Sequence, residues 1–148
     1  MECTLSNESP PVLRVSDEDL EPGEGDQMTL DGQPFTGVTY CTYPDGQLSY
    51  ELTMVNGLPK GLCREWHPNG QLSHEWIAQH GCGPDKLTTW HENGVLASVK
   101  RAELGVETEY NEWDESGQLQ VHRVLEPGST LHTLLLQLRE RKARGPAG

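Results

Sequence analysis

The sequence predicts an all-β repeat fold: an elongated single-layer antiparallel β-meander of hairpin repeats, closed by a short C-terminal amphipathic helix cap. Three observations predict it. A glycine-marked phrase recurs, each unit holds two turns, and the residues between turns alternate in polarity. Gly46, Gly70, Gly94 and Gly117 are spaced 24, 24 and 23 residues apart, and such self-similarity at a fixed period marks a repeat architecture. The phrases around them align as Tyr43-Pro44-Asp45-Gly46-Gln47-Leu48, Trp66-His67-Pro68-Asn69-Gly70-Gln71-Leu72, Trp90-His91-Glu92-Asn93-Gly94-Val95-Leu96 and Trp113-Asp114-Glu115-Ser116-Gly117-Gln118-Leu119.

A second glycine series, Gly32, Gly57, Gly81 and Gly105, interleaves with the first. Each unit therefore has two turns and two strands. In Pro68-Asn69-Gly70 the proline presets φ for a type I turn and glycine takes the left-handed position that follows, the chemistry of a hairpin closed by a G1 bulge. Pro44-Asp45-Gly46 follows the same logic, and Asn56-Gly57 and His80-Gly81 supply the turns at the opposite end. Leu48, Tyr50, Leu52 and Met54, and then Leu72, His74 and Trp76, alternate with polar neighbours such as Gln71, Ser73 and Glu75. A period of two over short runs marks strands with one packed face and one wet face.

Repeat-equivalent residues are expected to line up in columns. Trp66, Trp90 and Trp113, with Thr42 in the first copy, form one; Leu48, Leu72, Leu96 and Leu119 form another. The tryptophan column reads first as core packing, since each unit can bury its apolar side only against its neighbours; a partner platform is the alternative reading.

Composition agrees with a thin, turn-rich architecture. Over 148 residues only 34% are hydrophobic, with one Phe, 16 Gly and 10 Pro. The formal charge is −12, and four of the eleven basic residues, Arg139, Arg141, Lys142 and Arg144, lie in the last ten positions. The remainder is more acidic still, so nucleic acid and anionic membranes are disfavoured as partners and a basic protein is favoured. The N-terminus lacks a positive segment followed by an apolar one, and no run of about 20 apolar residues occurs. A cytoplasmic address is expected, with Cys3, Cys41, Cys63 and Cys82 as free thiols.

Residues 1–27 read as an acidic, largely disordered segment with an edge strand at 12–15 and a solvated linker from Asp17 to Asp26. Residues 28–126 hold the four repeats. Residues 129–142 form the helix, in which Leu131, Leu134, Leu135 and Leu138 recur at i, i+3, i+4 and i+7; its expected role is to cover the apolar edge of the last repeat. Residues 143–148 read as a disordered tail.

No catalytic, cofactor or metal motif is present. His67 and His91 are repeat-equivalent and near cysteines in sequence, but without the paired spacing of a closed zinc site they read as solvent-facing residues of the hairpin tips. The chain is therefore expected not to be an enzyme.

The pattern G-x-x-x-x-W-x-x-N-G-x-L, with a period near 24, resembles the MORN-variant repeat. The opening Asp31-Gly32-Gln33-Pro34-Phe35-Thr36-Gly37-Val38 and the phrase Arg64-Glu65-Trp66-His67-Pro68-Asn69-Gly70 resemble the YwqK-type family more closely, over roughly residues 12–126. That resemblance implies an antitoxin or immunity component that neutralises a toxin by direct binding, the toxin being basic on the charge argument above. A general protein-interaction scaffold is the alternative, and lipid binding by analogy with the broader MORN group is opposed by the charge. Glu51, Glu65, Glu75, Trp66, Trp90 and Trp113 are the candidate partner-binding residues, and Gly46, Gly70, Gly94 and Gly117 are structural. The copies also depart from one another: Asp85 stands where Gly61 stood, and the Glu51 and Glu75 position becomes Val99 and His122.

Overall fold

A computed structural model describes residues 12–79 and 83–145. The elements run, in chain order, β1 (Arg14–Ser16), one turn of 3-10 helix (Asp17–Asp19), β2 (Glu21–Pro22), β3 (Met28–Leu30), β4 (Gln33–Pro34), β5 (Gly37–Thr42), β6 (Leu48–Val55), β7 (Leu58–Trp66), β8 (Leu72–Ala78), β9 (Lys86–Trp90), β10 (Leu96–Glu103), β11 (Val106–Trp113), β12 (Leu119–Val124) and α1 (Thr130–Arg144). The readings made for residues 1–11, for the His80-Gly81 turn, for Cys82 and for 146–148 lie outside the described residues.

From β5 to β12 the strands pair in sequence order, each antiparallel to the next, within a nine-stranded sheet. The hairpin chemistry explains the pairing. At the tip between β7 and β8, Gly70 N–H donates to His67 O at 2.9 Å and His67 N–H donates to Gln71 O at 2.8 Å. Gly70 has φ of 89°, and Gly46, Gly94 and Gly117 have 90°, 85° and 87°. Register shifts by one residue beside these tips, as between Glu65 and Trp66, which is the bulge that the proline and glycine spacing predicts. At the other end of the strands Asn56-Gly57 and Leu104-Gly105 have positive φ at both central residues, the two-residue turn whose twist matches that of the strands.

Register confirms the columns. Tyr40, Glu51, Arg64, Glu75, Thr88, Val99, Asn111 and His122 form one continuous row across eight strands. The repeat-equivalent Glu51, Glu75, Val99 and His122 thus occupy every second strand of a single row. The row on the opposite face, one residue along each strand, is Thr39, Leu52, Cys63, Trp76, Leu87, Lys100, Tyr110 and Arg123. It is apolar from Leu52 to Leu87 and polar from Lys100 to Arg123, and the buried members, Thr39 and Cys63, lie under the N-terminal repeats.

The sheet is not wholly an antiparallel meander. β1 joins β5 in parallel, with Val15 opposite Thr39, because the chain crosses over between them instead of turning back. The crossover carries the three-stranded sheet β2-β3-β4, which adds a second layer over the first hairpin. Leu20, Phe35 and Met54 are buried between the two, flanked by Val15, Met28, Leu30 and Leu52; each such burial contributes roughly 1.5–3 kcal/mol. The segment expected to be a solvated linker is thus held to the sheet by Leu20, while its carboxylates stay outside. The Asn56-Gly57 turn locks the layers together, since Met28 N–H donates to Gly57 O at 2.9 Å and Gly57 N–H donates to Phe35 O at 2.7 Å.

α1 begins at Ser129, whose hydroxyl accepts from His132 N–H at 3.2 Å, and runs through Arg144. It packs on β11, with Leu135 and Val106 both buried, and a two-nitrogen contact from Arg139 to Glu103 at 2.6 and 2.7 Å fixes its far end. That guanidinium holds the Glu103 carboxyl below the usual carboxylate range. The helix thus covers part of the last repeat through β11, while Leu119 and Val124 of β12 remain 55% and 54% exposed.

Gly57 and Gly105 both have φ of 82°, but a Cβ on Gly57 would lie 2.6 Å from Met28 O, whereas one on Gly105 meets nothing within 4 Å. Gly105→Ala should therefore cost only the backbone strain, about 1–2 kcal/mol, and Gly57→Ala a further 1–3 kcal/mol for the displaced sheet. Equal losses in urea unfolding would mean that the small sheet is not docked through this turn.

Candidate functional site

Of the candidate partner-binding carboxylates, Glu51 and Glu75 sit on the charged row, and each of the three has a basic neighbour. Glu51 receives the Arg14 guanidinium, which also lies 4.7 Å from the centre of the Tyr40 ring. Glu75 receives Arg64 Nε at 2.8 Å, and Glu65, on the other face, stands 3.6 Å from His74 Nδ1. Glu51, Arg64 and Glu75 are consecutive in the row, so opposite charges alternate across three strands. Such cross-strand pairs support the sheet, and they set an arginine beside each of these two glutamates.

Trp66, Trp90 and Trp113 are all half-buried, each across from the leucine of its own hairpin: Leu72, Leu96 and Leu119. Their backbone carbonyls do more than their position suggests. Tyr43 Oη donates to Trp66 O at 2.7 Å, His67 Nε2 to Trp90 O at 2.7 Å and His91 Nε2 to Trp113 O at 2.8 Å. Because a carbonyl can only accept, Nε2 carries the proton in both histidines. One residue beyond each proline or glutamate, Asn69 Nδ2 donates to Glu92 O at 2.6 Å and Asn93 Nδ2 to Glu115 O at 2.9 Å. The same asparagines accept through Oδ1 from Gln71 N–H and Val95 N–H.

Each hairpin tip is thus bonded to the tip of the next repeat. This ladder also corrects the expectation of solvent-facing histidines: His67 and His91 are half-buried and serve as links between repeats. The available signal was their place, shared with Tyr43, directly after the Thr42, Trp66 and Trp90 position. Asp114, the fourth member, folds inward instead and accepts from Ser116 and Gln118, and the Ser116 bond foremost holds its carboxyl below the usual range.

Among the described residues no three of His, Cys, Asp and Glu gather as a metal site. Cys41 and Cys63 are free thiols, and burial pushes the Cys63 thiol up.

A denser group of carboxylates lies elsewhere. Asp17, Glu18, Asp19, Glu21, Glu24 and Asp26 fall within ten residues that hold no Lys or Arg, and all but Asp17 are exposed. Leu20 anchors the segment from within, and Tyr50 Oη donates to Asp17 Oδ2 at 2.5 Å. Burial, then the Asp17 carboxylate, holds the Tyr50 phenol far above its usual range, so it stays a donor at any physiological pH. Five exposed carboxylates are in this way presented on a fixed support beside the first hairpin, with Asp17 as part of that support.

His67→Phe keeps an aromatic ring at the tip but removes the donor to Trp90 O. Urea unfolding should show a loss of about 1 kcal/mol, the usual value of one such bond. Asn69→Ala, at an exposed position, should cost less. A wild-type midpoint for His67→Phe would mean that water replaces the link.

Residues 59–77 match the family model of the MORN repeat variant. No curated protein and no solved structure gives a significant match. The matched residues cover most of β7 and β8, which meet at the tip that both receives a link from Tyr43 and passes two on. The chain carries a MORN-type repeat.

Proposed function

We propose that the protein acts by binding another protein without catalysis, and that the partner is a basic protein that it neutralises, in the manner of the antitoxin and immunity proteins its repeats resemble. The observation that carries this reading is the cluster of carboxylates at 17–26, exposed and held in place by Leu20 and by the Tyr50–Asp17 bond. A fixed, single-signed patch draws an oppositely charged partner from beyond contact distance and orients it on arrival. The adjoining sheet adds a broad surface of hairpins that the tip ladder keeps in register. The scaffold reading draws on a different feature, the half-buried Trp66, Trp90 and Trp113, which would bind through apolar area and with little dependence on salt.

Surface plasmon resonance against the basic protein that co-purifies separates these readings. On the neutraliser reading, raising ionic strength from about 50 to 500 mM slows association roughly tenfold or more and leaves dissociation nearly unchanged. Glu18→Gln, Glu21→Gln, Glu24→Gln and Asp26→Asn together should reproduce that slowing at low salt, with the unfolding midpoint retained because all four are exposed. Glu51→Lys and Glu75→Lys should instead lower stability, since each leaves an arginine facing a new lysine. An association rate indifferent to salt and to the four substitutions would overturn the neutraliser reading in favour of the scaffold.

A further inference from the structure

The seam between the two layers leaves a cavity of about 300 Å³, at the lower end of the range for ligand pockets. Leu20 and Met28 wall it from the crossover, and Leu52 and Met54 wall it from the large sheet. Its charged lining is of one sign. Asp17 and Asp26 supply carboxylates, no Lys, Arg or His contributes to the wall, and Lys60, the basic residue next to Pro59, does not line it. Tyr50 spends its proton on Asp17 Oδ2, so towards the cavity its oxygen can only accept.

A separate observation points to an occupant. Thr39 lines the cavity at 3% exposure, and its Oγ1 has no hydrogen-bond partner among the described residues. A buried hydroxyl without a partner costs free energy, and a donor entering the cavity removes that cost. Apolar walls, two carboxylates and a hydroxyl short of a partner together define a ligand: an apolar stem that ends in a positively charged donor.

We propose that this cavity binds one cationic group carried on an aliphatic stem, in the form that an arginine or lysine side chain of the basic partner presents. The chemistry follows from the cavity alone, and the assignment to a protein side chain rests on the neutraliser reading above. The stem lies against Leu20, Met28, Leu52 and Met54, as the methylenes of such side chains do on apolar surface, and the head takes the carboxylates and the Thr39 hydroxyl as acceptors. A side chain lodged in this way adds a desolvated anchor to a surface of exposed charges, and anchors of that kind act on how long a partner stays.

The test is a nuclear magnetic resonance titration of the full chain carrying carbon-13 methionine methyls, since Met28 and Met54 both line the cavity. The probes are butylguanidinium, n-pentanol, which has a stem without the charge, and guanidinium, which has the charge without a stem. Butylguanidinium should shift both methyl resonances saturably, with pentanol binding roughly tenfold more weakly and guanidinium showing no saturation at matched concentration. Thr39→Val removes the hydroxyl and keeps the shape. Because that oxygen has no partner to lose, the unfolding midpoint should hold or rise, while butylguanidinium binding weakens roughly fivefold, the usual worth of one hydrogen bond. A merely structural Thr39 would show the reverse. Asp26→Asn, at an exposed position, should weaken binding as well. Pentanol binding as tight as that of butylguanidinium, wild-type binding by Thr39→Val, or no saturable shift would overturn the proposal. N-acetyl-glycyl-arginyl-glycine amide decides the source: shifts of the same two methyls support a protein side chain, and binding of butylguanidinium without the tripeptide overturns that assignment in favour of a free small cation. No partner protein enters these titrations. Association indifferent to salt would therefore remove the neutraliser reading and leave the cavity standing, and a silent titration would remove the cavity and leave the salt dependence as it is.

Discussion

A sheet this thin cannot rest on burial, and the constraint that everything else obeys is that each repeat must be held by its neighbours in the plane of the sheet. Among the described residues the buried apolar side chains are Leu20, Phe35, Met54, Cys63, Val106 and Leu135, spread over more than a hundred positions. What joins the repeats is polar and lateral. Backbone ladders run from β5 to β12, the tip links from Tyr43, His67, His91, Asn69 and Asn93 add side-chain bonds between consecutive hairpins, and Arg14, Glu51, Arg64 and Glu75 add charges that alternate across the strands. Each bond contributes modestly in water, yet the backbone ladders and the tip links recur from one repeat to the next. Nearest-neighbour terms of this kind are what make an array of identical units cohere.

The same constraint explains what was legible in the sequence. A bulged hairpin tip needs a left-handed residue at a fixed place, so Gly46, Gly70, Gly94 and Gly117 had to appear as text. Once the tips are fixed, strand direction, register and the shared row of Glu51, Glu75, Val99 and His122 follow. Features that depend on one contact between distant segments left no periodic trace. The parallel pairing of β1 with β5 rests on a crossover in which Leu20 and Phe35 find Met54, and an acidic stretch containing a single leucine reads as linker until that leucine is seen inside. The pairing of Glu51 with Arg14 was hidden for the same reason, since the partners are 37 residues apart. The path of α1 was half legible: its leucine spacing predicts a helix, but which leucine is buried depends on the β10–β11 turn, and there Val106 and Glu103 choose Leu135 and Arg139.

Charge is distributed with the same asymmetry as packing. The second layer lies over the first hairpin and carries the acidic segment outward on its crossover. The basic residues of α1, which packs on β11, lie toward the other end of the strand order, with the four strands β7 to β10 between. Between these ends the charged row is internally neutralised where Glu51, Arg64 and Glu75 meet. The net charge of −12 is therefore a poor description of what any one partner encounters. At physiological salt, where screening acts over about 8 Å, a protein approaching the first hairpin senses the carboxylates and one approaching α1 senses the cations.

This separation follows from how a repeat sheet can be terminated. A meander has two edges, each with unpaired backbone groups that invite further strands, and the chain treats them differently. At the first edge it returns a strand, β1, and roofs the first hairpin with a small sheet, which spends the local apolar residues on the fold and leaves carboxylates outside. At the last edge it turns α1 onto β11, spends one leucine, and leaves β12 with Leu119 and Val124 uncovered. The first end is consequently a polar surface, and the last keeps apolar side chains exposed among charges of both signs. On the neutraliser reading, a partner at the first end would gain chiefly in encounter rate and orientation, because charges exposed at a rim act on association more than on affinity.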